Sequence, residues 1–84
     1  MTERRYKLPQ TPFGKRLQEI RIAFGLSEGR ELSGKAFAEM LGLEPSTYYR
    51  YESGLSEPNL RTLAKVQQLT GASLDYLIGG KKVL

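Results

Sequence analysis

Cysteine, histidine and tryptophan are absent from this 84-residue chain. With them go disulfides, thiolate and imidazole metal ligands, and the usual nucleophile–base pairs of catalysis. No apolar run approaches the roughly 18 residues needed to cross a bilayer, and residues 1–10 carry no signal-peptide core. The nine carboxylates are scattered without a partner base, and Gly14-Lys15 lacks the glycine spacing of a phosphate-binding loop. These absences argue against an enzyme, a catalytic residue, a metal, a cofactor and a membrane protein, and they make a cytoplasmic address the default. What remains is 39% apolar and 26% charged, which suits one small globular domain.

Basic side chains outnumber acidic ones by 13 to 9, a net charge of +4 that is unevenly spread. Residues 1–35 hold eight basic and four acidic groups, whereas residues 36–80 hold Arg50, Arg61 and Lys65 against five carboxylates. Lys81 and Lys82 restore positive charge at the end. A polyanionic partner would therefore be held mainly by the two ends of the chain.

Glycines divide the sequence. Gly25, Gly42, Gly54, Gly71 and Gly79 each follow apolar residues at helical spacing and read as helix stops. Thr11, Ser33 and Ser73 read as N-caps, and Pro12, Pro45 and Pro58 as helix starts. Five helices result. The first, about Pro12–Phe24, places Phe13, Leu17, Ile20 and Phe24 on one face. The second, about Gly34–Leu41, buries Phe37, Ala38 and Leu41. The third, about Pro45–Glu52, turns Tyr48 and Tyr51 inward with their hydroxyls reaching the surface. The fourth, about Asn59–Thr70, carries Leu60, Leu63, Val66 and Leu69, and the fifth, about Leu74–Ile78, carries Leu74, Leu77 and Ile78. No period-two pattern competes, so the fold class is all-α. Residues 1–10 read as a basic arm, 11–80 as the domain and 81–84 as a short tail, and Ser27–Leu32 reads as an insertion without an assigned role.

The informative block is Ser33–Gly54. A helix ends at Gly42, a short turn follows with Leu43 beneath it, and Pro45 opens a second helix; two helices joined in this way present the second one outward. Its outward face is Pro45, Ser46, Tyr49, Arg50 and Ser53. Five segments in order extend the pattern: F-G-K-R-L-Q-E-I-R at Phe13–Arg21, A-F-A-E-M-L-G-L at Ala36–Leu43, S-T-Y-Y-R-Y-E-S-G at Ser46–Gly54, E-P-N-L-R-T-L at Glu57–Leu63 and S-L-D-Y-L-I-G-G at Ser73–Gly80. On these residues the chain resembles the Xre family of helix-turn-helix transcriptional regulators, of the Cro and phage-repressor type.

The resemblance implies a five-helix lambda-repressor-like DNA-binding domain with a central helix-turn-helix, acting as a homodimeric repressor on a palindromic operator in double-stranded DNA. It nominates Pro45, Ser46, Thr47, Tyr49 and Arg50 as base readers, Arg50 foremost because a guanidinium bonds a guanine edge bidentately. Ser33, Gly34, Lys35, Ser53, Asn59, Leu60 and Arg61 would meet phosphates, and Arg4, Arg5 and Lys7 would form an arm on the DNA unless they are a solvated terminus. Arg21 and Glu52 stand where the family commonly has a partly buried ion pair bracing the third helix against the first, although taken alone they also read as an exposed pair. The departures are Gly34 where the family often has glutamine, Glu44 at the cap position, Glu57 in a loop that is frequently basic, and Thr70 for an apolar residue. The apolar end, Leu74, Tyr76, Leu77, Ile78, Val83 and Leu84, suggests the dimer contact. A rival reading is a protein-interaction module, such as an antitoxin or bridging factor whose main partner is another protein. A non-specific nucleoid binder is a further alternative.

Overall fold

A helix leaves its first N–H groups without intrahelical acceptors, and this chain supplies side-chain oxygens at four of its five helix starts. In the computed structural model, which describes residues 11–79, the helices are α1 (Pro12–Ser27), α2 (Gly34–Met40), α3 (Pro45–Ser53), α4 (Leu60–Thr70) and α5 (Leu74–Gly79). Thr11 Oγ1 accepts from the Gly14 N–H at 3.0 Å, Ser33 Oγ from Ala36 at 3.0 Å, Asn59 Oδ1 from Thr62 at 2.9 Å and Ser73 Oγ from Tyr76 at 3.2 Å. The exception is α3, where Glu44 makes no side-chain cap bond and offers the helix only a negative charge at its positive end. The proposed arm with Arg4, Arg5 and Lys7, and Gly80, Lys81, Lys82, Val83 and Leu84, lie outside the described residues.

Two of the expected helix stops are corrected. Gly25 lies inside α1, which runs on to Ser27, and it is buried because the returning chain passes directly over it. A Cβ at Gly25 would stand 2.8 Å from the Arg30 carbonyl oxygen and from Leu32 Cβ. The reversal is made by Gly29, whose φ of 82° only glycine adopts without strain. Ser27–Leu32 is therefore the last residue of α1 plus a tight return that delivers Leu32 into the core at 4% exposure. Gly79 likewise remains helical, as the last residue of α5.

The core is Leu17 and Ile20 of α1, Leu32, Phe37, Ala38 and Leu41 around α2, Tyr48 of α3, Leu63 and Val66 of α4, and Leu77 of α5. Phe13, Phe24, Leu43, Tyr51, Leu69, Leu74 and Tyr76 pack around it. Phe37 sits at its centre, meeting Phe24 at 6.2 Å between ring centroids and Tyr48 edge-on at 5.5 Å. Leu60 and Ile78, which fall in the apolar spacing of α4 and α5, are 73% and 57% exposed. Each stands at the outer end of its short helix, past the edge of the core. Side-chain hydrogen bonds tie α5 to α1: Arg16 donates to the carbonyls of Leu77 at 3.0 Å and Ile78 at 3.1 Å, and the Tyr76 hydroxyl donates to Glu19 at 2.7 Å.

α1 crosses α3 so closely that a Cβ at Gly14 would collide with the backbone carbonyl of Glu52. Backbone cannot move aside as a flexible side chain can, so Gly14→Ala should destabilise the domain by roughly 1–3 kcal/mol. Urea unfolding is the check; a midpoint equal to wild type would show that the two helices separate at no cost.

Candidate nucleic-acid interface

One face of α3 is committed to the interior. Tyr48 is wholly buried, and its hydroxyl donates to Glu52 one turn later, a meeting that the i, i+4 spacing on a helix allows. The surface position expected for that hydroxyl is thus corrected. Glu52 Oε2 also accepts from Arg21 Nε at 2.8 Å, and Oε1 accepts from Nη2 at 3.2 Å, a two-pronged pair across α1 and α3. Arg21 spends its remaining nitrogen, Nη1, on the Leu32 carbonyl at 2.8 Å. Burial opposes the charge on Arg21, but its hydrogen bond and Coulombic attraction to Glu52 outweigh burial and hold its pKa above the ordinary value. Burial, and then the charge and hydrogen bond of Glu52, push the Tyr48 phenol far above its ordinary range, so it stays a proton donor.

The opposite face of α3 is open. Ser46, Tyr49 and Arg50 are exposed, while Pro45, Thr47 and Ser53 are half-buried. Ser33 and Lys35 are exposed at the start of α2, but Gly34 between them is buried. Asn59, Leu60 and Arg61 are exposed at the start of α4, where the Asn59 side chain is already occupied as a cap. A groove of about 450 Å³ gathers Ser33, Gly34, Tyr49, Arg50 and Ser53 with Arg21 and Glu52 at its side. Lys35, Pro45, Ser46, Thr47 and the α4 residues do not line it. Two lining residues went unnoticed in the sequence, Gln18 and Leu55. Gln18 could have been found, because it lies one helical turn before Arg21 on the same face of α1; Leu55 follows the helix stop and carries no pattern.

Among the described residues no cluster of three or more acidic groups could hold a metal ion, and no helix is long and apolar enough to cross a membrane.

A turn-joined helix pair with one face of its second helix locked and the other free is the geometry of a helix-turn-helix domain. The profile of the helix-turn-helix family matches residues 17–77, and the chain belongs to that family, in its Xre-type branch. It is 38% identical over 68 residues to the SPbeta prophage-derived uncharacterized HTH-type transcriptional regulator YonR of Bacillus subtilis (strain 168), covering 81% of this chain and 57% of that protein. It is also 42% identical over 45 residues to the HTH-type transcriptional regulator AnsR of the same organism, covering 54% of this chain and 39% of that protein. The chain thus spans about half the length of the curated relatives it matches. No solved structure matches it significantly.

The Arg21–Glu52 pair is only 14% and 7% exposed, so removing one partner strands the other in a poorly solvated place. Glu52→Ala should cost about 2–4 kcal/mol in chemical denaturation. A loss below about 0.5 kcal/mol would put the pair in the class of solvated surface bridges.

Proposed function

We propose that the chain is a sequence-specific DNA-binding transcriptional regulator, a repressor acting as a homodimer on a palindromic operator with α3 in the major groove. The observation that carries this reading is the division of α3: Ser46, Tyr49 and Arg50 stand exposed on one side, while the Tyr48–Glu52–Arg21 network locks the other to α1. Reading base edges needs both free side chains and a backing that does not yield. In this reading Pro45, Ser46, Thr47, Tyr49 and Arg50 face the bases, with Arg50 bidentate to a guanine. Ser33, Lys35, Ser53, Asn59, Leu60 and Arg61 lie along the phosphates, with Gly34 contributing backbone alone. Arg4, Arg5 and Lys7 add sequence-independent attraction from the arm. The alternative, a module whose main partner is protein, draws on the net acidic middle of the chain and on exposed Leu55 and Leu60. Stable co-purification with a partner protein, together with no preference among DNA sequences, would favour it.

The homodimer has less support from α5 than the sequence suggested. Leu77 is buried and Leu74 and Tyr76 pack inward, so among the described residues Ile78 is the one strongly exposed apolar side chain of α5. A two-fold contact through Ile78 and the residues beyond it would set two reading helices about 34 Å apart, one turn of DNA. Sedimentation should therefore show a dimer on operator DNA; a single copy per operator at saturating protein would refute the two-fold arrangement.

Selection from random duplexes should yield an inverted repeat. On that selected duplex Arg50→Ala should cost about 1–3 kcal/mol and relax preference at one base pair, with little change in salt dependence. Neutralising Arg4, Arg5 and Lys7 together should weaken selected and scrambled duplexes alike and flatten the salt dependence by up to about three units of slope. Equal loss on both duplexes for Arg50→Ala would make Arg50 a phosphate clamp. No effect from the arm substitutions would leave the arm a solvated terminus.

A further inference from the structure

We propose that Tyr49 is a positioning residue of the DNA-binding face, a wedge seated on Gly34 that fixes α3 against α2, and that it reads no base itself. This inference rests on the DNA-binding reading above and changes the role given there to one residue.

The distal end of the Tyr49 ring occupies the space that a side chain at Gly34 would fill. A Cβ on Gly34 would lie 2.5 Å from Tyr49 Cε1, 2.8 Å from Cζ and 2.9 Å from the hydroxyl oxygen. That cover explains why Gly34, at the very start of α2, is buried between two exposed neighbours. The ring also has an aromatic neighbour on its own helix. Tyr48 meets it at 6.0 Å between centroids, with the planes 63° apart, and Tyr48 is itself fixed through its hydroxyl on Glu52. Tyr49 is thus 40% exposed, with the end of its ring over Gly34 and its ring beside Tyr48.

A side chain that reads a base must project away from its helix into the groove. Tyr49 instead lies with the end of its ring over Gly34 of α2, at the seam between the two helices. Arg50, the next residue, leaves the helix about 100° further round and stays exposed. The pairing needs glycine on one side and a flat, stiff ring on the other. A side chain at 34 forces the end of the ring to shift, and loss of the ring leaves a gap beside the helix that carries Arg50. Gly34 and Tyr49 accordingly act as one unit, which sets the angle at which the remaining readers approach DNA.

The test combines Tyr49→Ala, Tyr49→Phe, Gly34→Ala and the double variant Gly34→Ala/Tyr49→Ala. Binding to the selected duplex is measured at a temperature where each is folded by circular dichroism, and base preference is profiled at every position. Tyr49→Ala and Gly34→Ala should each weaken binding about tenfold, and the double variant should lose no more than the worse single one, as expected of one coupled contact. The preferred base should stay the same at every position, and Tyr49→Phe should bind as the wild type does, because the ring and not the hydroxyl is the wedge. Without DNA, the α-protons of Gly34 should show a ring-current shift that Tyr49→Ala abolishes. A changed base preference in Tyr49→Ala, unchanged affinity in that variant, multiplicative losses in the double variant, a Tyr49→Phe as weak as Tyr49→Ala, or a wild type without the ring-current shift would each overturn the proposal alone. A wild type with no preference among duplexes overturns the regulator reading and takes this inference with it.

Discussion

The buried carboxylate of Glu52 is the point on which this small domain is organised. A carboxylate out of water needs donors from several directions, and it finds three: Nε and Nη2 of Arg21 and the hydroxyl of Tyr48. Arg21 in turn reaches the carbonyl of Leu32, which anchors the chain just before α2. One charge thus fixes α1, the entry to α2 and α3 in a single arrangement. Such networks rarely add much net stability, since desolvation costs nearly as much as the pairing returns. Their effect is to penalise every arrangement in which a donor is missing, and that selects one orientation of α3.

Close backbone approach is the second condition, and the glycines provide it. Gly14 lets α1 touch the end of α3, and Gly54 lies against Thr11, where a Cβ would come within 2.5 Å of the Thr11 methyl. With φ at 84°, Gly54 also ends α3 in the conformation that stops a helix without straining a Cβ. Gly54 therefore both terminates α3 and admits the start of the helix that backs it. Of the nine residues of α3, Tyr48 and Glu52 then lie inside, Ser46, Tyr49 and Arg50 lie outside, and Pro45, Thr47, Tyr51 and Ser53 are half-buried between them.

Helix number, order and most of the core were legible in the sequence because short amphipathic helices announce themselves through capping oxygens and apolar spacing. The failures have one physical source. Local composition makes Gly25 and Gly79 look like stops, yet whether a glycine ends a helix or admits a neighbour depends on what packs over it, which no local pattern contains. Gly25 is glycine because Leu32 and Arg30 return across it, and the turn belongs to Gly29 four residues later. Leu60 and Ile78 share the apolar spacing of their helices but stand exposed, because a helix end can outrun the core that its stripe faces. At the interface the outward residue types were readable. The seat of Tyr49 on Gly34 was not, because it joins two helices through the absence of a side chain.

The distribution of charge gives the two ends of the chain and its body different tasks under the proposed function. Residues 11–79 carry eight basic side chains and eight acidic ones, so the whole net charge of +4 belongs to residues 1–10 and to Lys81 and Lys82. Of the eight basic groups in the body, Arg21 is consumed by Glu52 and Arg16 by the carbonyls at the end of α5. A body with no net charge draws little from counterion release, the term that makes binding to any duplex strong. Under the proposed function its contribution lies in geometry, in a few placed donors such as Arg50, whose task there is to distinguish one sequence from another. General attraction then falls to the basic ends. Under the proposed function this separation would keep non-specific binding by residues 11–79 weak and raise the weight of the selective contacts, since specificity is the difference between the two affinities.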